Sequence, residues 1–198
     1  SVGEFLTQDE RYFVGILHDV SEHKRLEAEL VRLAQTDELT GAFNRRHFMG
    51  QLEKEIHRSN RYRSPLSLMI IDLDYFKQVN DTYGHPVGDR VLLAMAETFG
   101  QMVRSDDFLA RYGGEEFVIV LPGASRRNAA KKGKLICKTV HKTRFTFDPD
   151  DRQPPLSLTV SIGATAFKKG DTVDSLLARA DQALYKAKQA GKNGVIAS

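Results

Sequence analysis

Hydrophobic residues recur along this chain with two different periods, and the alternation between them predicts its elements. Apolar runs of strand length occupy residues 66–73, 108–112, 117–121 and 156–167. Stripes at three- and four-residue spacing, typical of amphipathic helices, occupy residues 44–63, 88–103, 125–142 and 173–190. From residue 66 the core order is therefore β-α-β-β-α-β.

This order predicts an α+β fold of the ferredoxin-like, palm-type class. Its sheet is antiparallel, with a βαββαβ core and helices on its faces. In that layout the first strand lies beside the strands of the hairpin. Its carboxyl end therefore faces the hairpin tip.

The first part of the chain has a separate pattern. Residues 5–6 and 12–20 predict two short strands around a polar turn, and a lone hairpin of this kind is marginal in water. From Ser21 a helical pattern follows, with leucines at the four- and three-residue spacing of a coiled-coil seam. These leucines are Leu26, Leu30 and Leu33.

Bulk composition is that of a soluble globular protein, with 41% hydrophobic and 28% charged residues among 198. The net charge of +3 is too weak to indicate nucleic acid or membrane binding. The single Cys137 excludes an internal disulfide and suits a reducing compartment. We expect a cytoplasmic protein, or the cytoplasmic part of a larger membrane-anchored bacterial sensor from which upstream segments are missing.

The hairpin tip carries the first candidate chemistry. Gly113 and Gly114 between two apolar runs predict a tight two-residue turn in which both glycines have positive φ. A turn without side chains lets a bulky anion approach the backbone, and Glu115 beside it can hold the accompanying cation. An ordinary solvated turn with exposed glutamates is the alternative for these residues alone.

A second acidic group ends the first core strand and is expected beside Glu115. Carboxylates converging from two strands make a hard, oxygen-rich site suited to Mg²⁺, with Mn²⁺ as the alternative ion. Asp72, the Leu73 carbonyl and Glu115 are the predicted ligands, and Asp74 is assigned a structural role. Lys77 is placed to neutralise charge on a phosphate chain.

Two polar residues downstream fit a guanine base. Asn80 and Asp89 could pair with the adjacent ring N–H and amino donors of guanine, a combination that adenine lacks. A helix cap for Asp89 and a turn for Asn80 are the alternatives.

From about residue 36 the chain resembles the GGDEF family of diguanylate cyclases, which condense two GTP into cyclic di-GMP and two pyrophosphates. Seven ordered blocks carry the resemblance and are far more specific together than any one motif. They are Asp37-Glu38-Leu39-Thr40-Gly41 with Asn44-Arg45-Arg46, Asp72-Leu73-Asp74-Tyr75-Phe76-Lys77 through Asn80-Asp81, Gly84-His85 with Gly88-Asp89, Arg111 through Phe117, Ser161-Ile162-Gly163, Ala180-Asp181 through Lys188, and Gly191-Lys192-Asn193.

The resemblance implies a role for each matching residue at the reaction centre. Asp72, the Leu73 carbonyl and Glu115 match the family's Mg²⁺ ligands, and Glu115 also matches the acceptor of the 3′-hydroxyl proton. Lys77 matches the lysine that stabilises the transition state. A homodimer is implied, because one domain holds one GTP and the product needs two bonds between two GTP molecules.

Substrate contacts follow from the same resemblance. Asn80 and Asp89 match the guanine contacts. The backbone N–H groups of Tyr75 and Phe76 match the phosphate cradle, and Lys188 and Lys192 match the grip on the terminal phosphates. Position 192 is often Arg in the family, so Lys192 implies weaker GTP binding.

A second nucleotide site is implied before the hairpin. Arg104 and Asp107 match the family's inhibitory Arg-x-x-Asp motif in identity and in spacing from Gly113, which makes cyclic di-GMP an inhibitor as well as the product. Leu135 stands where members often have an additional Arg, with Lys134 beside it, so weak inhibition is expected. A surface salt bridge is the alternative.

The remaining regions are interpreted by a looser resemblance. Residues 19–24 resemble the junction at the end of PAS sensor domains, which makes residues 1–20 the remnant of a sensor. Residues 21–36 are then a signalling helix, or alternatively a connector packed on its own domain, and residues 37–198 are the cyclase domain. No nucleic acid or direct membrane contact is expected from this segment.

Three other functions remain open. The chain could be a receptor that binds GTP or cyclic di-GMP without turnover, a nucleotidyl cyclase with another product, or a structural dimerisation module. Asp89 argues against the second because it favours guanine, and the clustered acids argue against the third.

Overall fold

The computed structural model describes residues 2–6, 11–15, 20–146 and 155–198. The chain divides into two units, Ser1–Ala34 and Gln35–Ser198. Among the described residues, no helix has both the length and the apolar character needed to cross a bilayer.

The first unit contains an antiparallel hairpin and most of a helix. Strands β1 (Val2–Leu6) and β2 (Arg11–Gly15) pair with Val2 opposite Gly15. Helix α1 (Ser21–Gln35) confirms the predicted helix. The turn predicted at residues 7–11 lies outside the described residues except for Arg11, which belongs to β2, and so do residues 16–19 of the second predicted strand.

The second unit alternates strands and helices in the predicted order. Its strands are β3 (Leu66–Leu73), β4 (Phe108–Arg111), β5 (Glu116–Pro122), β6 (Arg144–Phe145), β7 (Leu156–Ser157), β8 (Val160–Ala166) and β9 (Val195–Ala197). Its helices are α2 (Arg45–Tyr62), α3 (Phe76–Tyr83), α4 (His85–Met102), α5 (Arg126–Lys142) and α6 (Val173–Gln189).

The main sheet has the strand order β4-β5-β3-β8-β9. Strand β3 is antiparallel to both β5 and β8, and only β8 with β9 is parallel. This is the predicted ferredoxin-like arrangement, with β9 added at one edge. The α+β fold class is therefore confirmed.

Every residue of the central strand β3 is buried, because helices cover both faces of the sheet. Met69, Ile71 and Leu73 pack into a core with α4 and α5. Leu68 and Ile70 face the opposite core, which α2 and α6 complete. A strand buried on both faces reads as a continuous apolar run, which is why the sequence revealed it.

Close contact between α6 and β8 depends on one glycine. A Cβ atom at Gly163 would collide with the carbonyl oxygen of Ala180 and the backbone of Leu184. The helix therefore lies directly on the strand backbone. Thr172 and Ser175 cap its first turn reciprocally.

Several details differ from the sequence prediction, among them the short strand β6, which was not predicted. Helix α3 was not predicted, and α4 begins at His85 instead of residue 88. The strand predicted at residues 156–167 is broken between β7 and β8, where Thr159 turns its hydroxyl to Asp74. Strand β9 was missed because three residues are too few to show a period.

Candidate active site

The end of β3 and the hairpin tip meet as the topology requires. Asp72 lies opposite Glu116 in the register of β3 with β5. One residue further, the Leu73 N–H donates to the Glu115 carbonyl oxygen at 3.4 Å. The three predicted metal ligands, Asp72, Leu73 and Glu115, are thereby brought to one edge of the sheet.

The turn of this hairpin is wider than predicted. Residues 112–115 separate β4 from β5, and the N–H groups of Tyr112 and Gly113 both donate to the Glu116 carbonyl, at 2.8 and 3.3 Å. Neither Gly113 nor Gly114 has positive φ, so the two-residue turn was wrong. Gly113 is needed for lack of space, because a Cβ there would lie 2.7 Å from a Glu116 carboxylate oxygen. Gly114 differs, since a Cβ there would meet no atom within 4 Å.

Arg111 fixes the hairpin tip by hydrogen bonds to its backbone. Arg111 donates to the Gly114 carbonyl from Nη2 at 2.8 Å and from Nε at 3.2 Å. Its Nη1 pairs with Asp37 at 3.1 Å, and Asp37 also accepts from the N–H and hydroxyl of Thr40. Burial raises the pKa of Asp37, but the bonds from Thr40 and Arg111 outweigh it, so the net shift is downward.

The Asp37–Thr40 loop is therefore part of the support for the hairpin tip. In the sequence, this loop stood out only as part of the resemblance to the GGDEF family. Phe43 ties the same loop to β4, since the Arg111 N–H donates to its carbonyl at 2.8 Å.

Negative charge accumulates around Asp72. This residue is 5% exposed, and burial raises its pKa although Lys188 Nζ lies 2.8 Å from its Oδ2. Burial and the charge of Asp72 likewise raise the pKa values of Glu115 and Glu116. Lys188, Lys192 and Arg45 act on these three carboxylates, but Asp74 and Asp181 add two further negative charges, so positive charge stays in deficit.

This donor set fits a hard divalent cation that keeps water or phosphate oxygens among its ligands. Within the described residues, no three His, Cys, Asp or Glu side chains are grouped as a complete metal site. The protein thus offers a partial shell of Asp72, the Leu73 carbonyl and Glu115.

Asp74 is enclosed by hydrogen bonds and is 4% exposed. It accepts from the hydroxyls of Thr159 and Ser161, each at 2.7 Å, and from the Asn193 N–H at 3.0 Å. These bonds fasten β8 and the turn after α6 to the end of β3. The structural interpretation of Asp74 is confirmed.

The residues after Asp74 begin α3. Tyr75 has a left-handed φ of 61° and is the residue before the first turn, followed by Phe76 and the exposed Lys77. The Lys192 ammonium lies 3.5 Å from the centre of the Tyr75 ring. Lys188 and Lys192 therefore both lie at the end of β3 where Asp72 is found.

The predicted guanine contacts lie on two different helices that pack together. Asn80 is on α3, and its buried Oδ1 has no hydrogen-bond partner. Gly88 on α4 lets the helices approach, because a Cβ there would collide with that oxygen. Asp89 follows on the exposed side of α4. An unsatisfied acceptor beside an exposed carboxylate fits the edge of a base with adjacent donors.

The Arg-x-x-Asp segment lies elsewhere, between α4 and β4. The Arg104 N–H donates to Asp107 Oδ2 at 3.0 Å, and Lys132 Nζ reaches the same oxygen at 2.6 Å. Leu135 lies with these residues around a cavity of about 460 Å³ that Asn128 and Lys131 also line. Lys134, named from the sequence, faces a different pocket.

Lys132 was thus missed by the sequence analysis. It was one of many basic residues in α5, and only its ion pair with Asp107, the residue before β4, singles it out.

Comparisons with known proteins agree with this geometry. The family described as "Diguanylate cyclase, GGDEF domain" matches residues 34–194. The response regulator PleD of Caulobacter vibrioides is 40% identical over 167 residues, 84% of this chain and 36% of that protein. Diguanylate cyclase DgcM of Escherichia coli is 39% identical over 183 residues, 92% of this chain and 43% of that protein. The chain thus spans about two fifths of these curated relatives or less.

Solved structures give the same picture. The GGDEF domain of DgcB from Caulobacter crescentus, in complex with c-di-GMP, superposes with a TM-score of 0.79 at 34% identity, covering 83% of this chain and 95% of that one. The form of DgcB that includes its coiled coil gives 0.83 at 32% identity, covering 90% and 95%. By sequence and by fold, this chain belongs to the GGDEF family of diguanylate cyclase domains.

Proposed function

We propose that this chain joins two GTP molecules into cyclic di-GMP with release of two pyrophosphates. The observation that carries the proposal is the convergence of Asp72, Leu73 and Glu115 beside Lys188 at one edge of the sheet. Membership of a family with named diguanylate cyclases at 39–40% identity supports it.

Asp72, the Leu73 carbonyl and Glu115 would hold Mg²⁺, or Mn²⁺ in its place. When bound, such an ion polarises the α-phosphate and lowers the pKa of the 3′-hydroxyl. The open space at Gly114 leaves room for the phosphate chain. Arg111, paired with Asp37, holds the Gly114 carbonyl of the tip in place.

Each bond-forming step needs a proton acceptor and a stabilised leaving group. The 3′-oxygen of one GTP attacks the α-phosphorus of the other, the bond to pyrophosphate breaks, and Glu115 accepts the hydroxyl proton. Lys77, Lys188 and Lys192 offset charge on the phosphates, with the N–H groups of Tyr75 and Phe76 as further donors.

Guanine is read by Asn80 and Asp89. The unpaired Asn80 Oδ1 accepts from one guanine donor, and the Asp89 carboxylate accepts from the others. Adenine presents no such pair of donors, which is the basis of selection for GTP.

Two copies must meet, because one site holds one GTP. The seam of α1 is the proposed contact, since Leu26, Leu30 and Leu33 are 50%, 67% and 45% exposed. Activity per chain should rise with protein concentration. Replacing Leu26 and Leu30 by Gln should shift that rise to higher concentration, and an unchanged profile would make α1 a connector.

Cyclic di-GMP is the proposed ligand of Arg104 and Asp107, where it would inhibit. The guanidinium group of Arg104 can donate two hydrogen bonds to the O6 and N7 atoms of guanine or to a phosphate. Asp107 is already held by Lys132, so binding must displace that ion pair and inhibition should be weak. Arg104→Ala should let product accumulate to a higher level in full progress curves, whereas identical late slowing would refute the site.

Identification of the product tests the main proposal. The dimeric chain is incubated with GTP and Mg²⁺, and the product is identified by mass. Cyclic di-GMP is expected from the wild type and none from Glu115→Gln, because a neutral amide cannot hold the divalent ion. Glu53→Gln, an exposed change on α2, is the matched control. GTP binding without product would identify a receptor.

A further inference from the structure

The turn that carries Lys192 has an unusual backbone conformation. Gly191, Lys192 and Asn193 have successive positive φ values of 107°, 63° and 44°. Two backbone N–H groups fix this turn by hydrogen bonds. The Lys192 N–H donates to the Ala187 carbonyl at 3.2 Å, and the Asn193 N–H donates to the Asp74 carboxylate at 3.0 Å. Left-handed conformations at non-glycine residues cost free energy and persist where surrounding contacts impose them.

The residue opposite this turn is in the same rare conformation. Tyr75 has a φ of 61° and follows Asp74 directly, so one carboxylate anchors both segments. The Tyr75 carbonyl accepts from Gln78 and Val79, which fixes its backbone to the first turn of α3. Three of the four non-glycine residues with positive φ in the described chain therefore face each other across Asp74.

The ring of Tyr75 lies where these two segments meet. The Lys192 ammonium is 3.5 Å from its centroid, well within the distance of a cation–π contact. Tyr75 is nevertheless 54% exposed, so its ring covers no hydrophobic core. Within the described residues Lys192 forms no salt bridge, in contrast to Lys188, which is paired with Asp72.

This difference between the two lysines has a chemical meaning. An ammonium held by a carboxylate must break a charged hydrogen bond before it can donate to a phosphate. An ammonium held over a ring is attracted to the face while the N–H donors that point away from the ring stay free. The ring also restricts a long side chain whose freedom would otherwise be lost on binding.

We infer that the aromatic ring of Tyr75 is a platform that positions Lys192 to receive the terminal phosphates of the nucleotide. This rests on the proposed function, which places GTP at this edge. Tyr75 is a positioning residue through its ring, in addition to the backbone N–H assigned to it above. The hydroxyl group has no part in this role.

A binding measurement isolates the ring from catalysis. The probe is guanosine 5′-[α,β-methylene]triphosphate, whose P–C bond cannot release pyrophosphate, and GMP is the comparison ligand that lacks the terminal phosphates. Titration calorimetry with Mg²⁺ gives both affinities. Tyr75→Asn removes the ring while suiting a left-handed residue, because Asn adopts that conformation readily.

The expected result is a loss confined to the triphosphate. Tyr75→Asn should weaken binding of the analogue about threefold to tenfold and change GMP binding less than about twofold, in keeping with one cation–π contact. Tyr75→Phe should restore the affinity, since it keeps the ring. In a Lys192→Met background, Tyr75→Asn should have no further effect, because its partner is already gone.

Several outcomes would overturn the inference. They are an unchanged triphosphate affinity in Tyr75→Asn, an equal loss for GMP, failure of Tyr75→Phe to rescue, or a persisting effect in Lys192→Met. A wild type that binds the analogue no more tightly than GMP would overturn it too. If the binding pattern holds but no cyclic di-GMP is formed from GTP, the cyclase reaction fails and the platform stands.

Discussion

Two aspartates in this domain are nearly buried and are each held by one lysine, yet they lie in opposite surroundings. The Asp72 side chain is 8% exposed and bonds Lys188 at 2.8 Å. The Asp107 side chain is 6% exposed and bonds Lys132 at 2.6 Å. Asp72 has Glu115 and Glu116 as neighbours, whereas Asp107 shares its cavity with Arg104 and Lys131.

The ion pair alone therefore does not decide what each place binds. Around Asp72 the acids outnumber the cations. Burial raises the pKa values of Asp72 and Glu115, the charge of Asp74 raises that of Asp72 further, and the charge of Asp72 raises that of Glu115 further. A cation relieves that excess. Around Asp107 the cations outnumber the acid, so the same kind of pair is suited to an anion.

The largest effect is expected from removing the charge of Asp72. Asp72→Asn should lower the rate of product formation roughly a hundredfold or more, because the divalent ion loses a charged ligand. Rates measured over a range of Mg²⁺ and Mn²⁺ concentrations check this. Full activity at ordinary Mg²⁺ would mean that the acidic surplus has no role in holding metal.

A smaller effect is expected at the base. Asp89→Ser should reduce the preference for GTP over ATP by roughly tenfold or more, since the guanine donors lose a charged acceptor. Competition between the two nucleotides, followed by product mass, measures the ratio. Asp81→Ser, on the neighbouring α3, is a matched exposed control. An unchanged ratio would place guanine recognition elsewhere.

The second aspartate offers an opposite test. Lys132→Met should tighten cyclic di-GMP binding about threefold to tenfold, because Asp107 becomes free to accept guanine donors. Lys131→Met should weaken it, since a cation lining the cavity is lost. Calorimetry with cyclic di-GMP reports both. Weaker binding in Lys132→Met would make Lys132 a ligand contact instead of a competitor.

The smallest effect concerns stability. The fold raises the pKa of Glu115, so its ionised form is disfavoured relative to the unfolded chain. The penalty is absent below the unfolded pKa, develops as the pH rises through the folded pKa, and is complete at neutral pH. Without divalent ions, Glu115→Gln should therefore raise the melting temperature by roughly 1–2 °C at neutral pH.

The sign of this change is what matters. The difference should shrink as the pH falls toward the pKa, and Mg²⁺ should raise the wild-type melting temperature more than that of the variant. Glu53→Gln should show neither behaviour. A variant that melts lower than the wild type in metal-free buffer would contradict the raised pKa.

The sequence predicted those parts of the molecule that follow from period and chain order. Strand β3 is a continuous apolar run, so its burial between two helical layers was readable. Once the β-α-β-β-α-β order was known, the meeting of Asp72 with the hairpin tip followed from topology. The roles of the residues assigned to metal, guanine and phosphate binding remain predictions. Their positions in the fold are those expected from the order of strands and helices.

The remaining features depend on packing that no local pattern encodes. Helix α3 is only eight residues long and follows a left-handed tyrosine, so its apolar stripe of Phe76, Val79 and Tyr83 was too short to be recognised. Lys132 is distinguished from Lys134 only by the rotation of α5 on the sheet. The wide hairpin turn depends on Arg111 and Asp37, which are 74 residues apart.

Gly163 has a consequence for how this domain can vary. Because α6 rests on the bare backbone at this point, the missing methyl group sets the distance between helix and strand. Lys188 and Lys192 are carried by the far end of the same helix and the turn that follows it. A single added carbon at Gly163 would push α6 away from β8 and so displace both lysines, although Gly163 itself is not part of the proposed phosphate site.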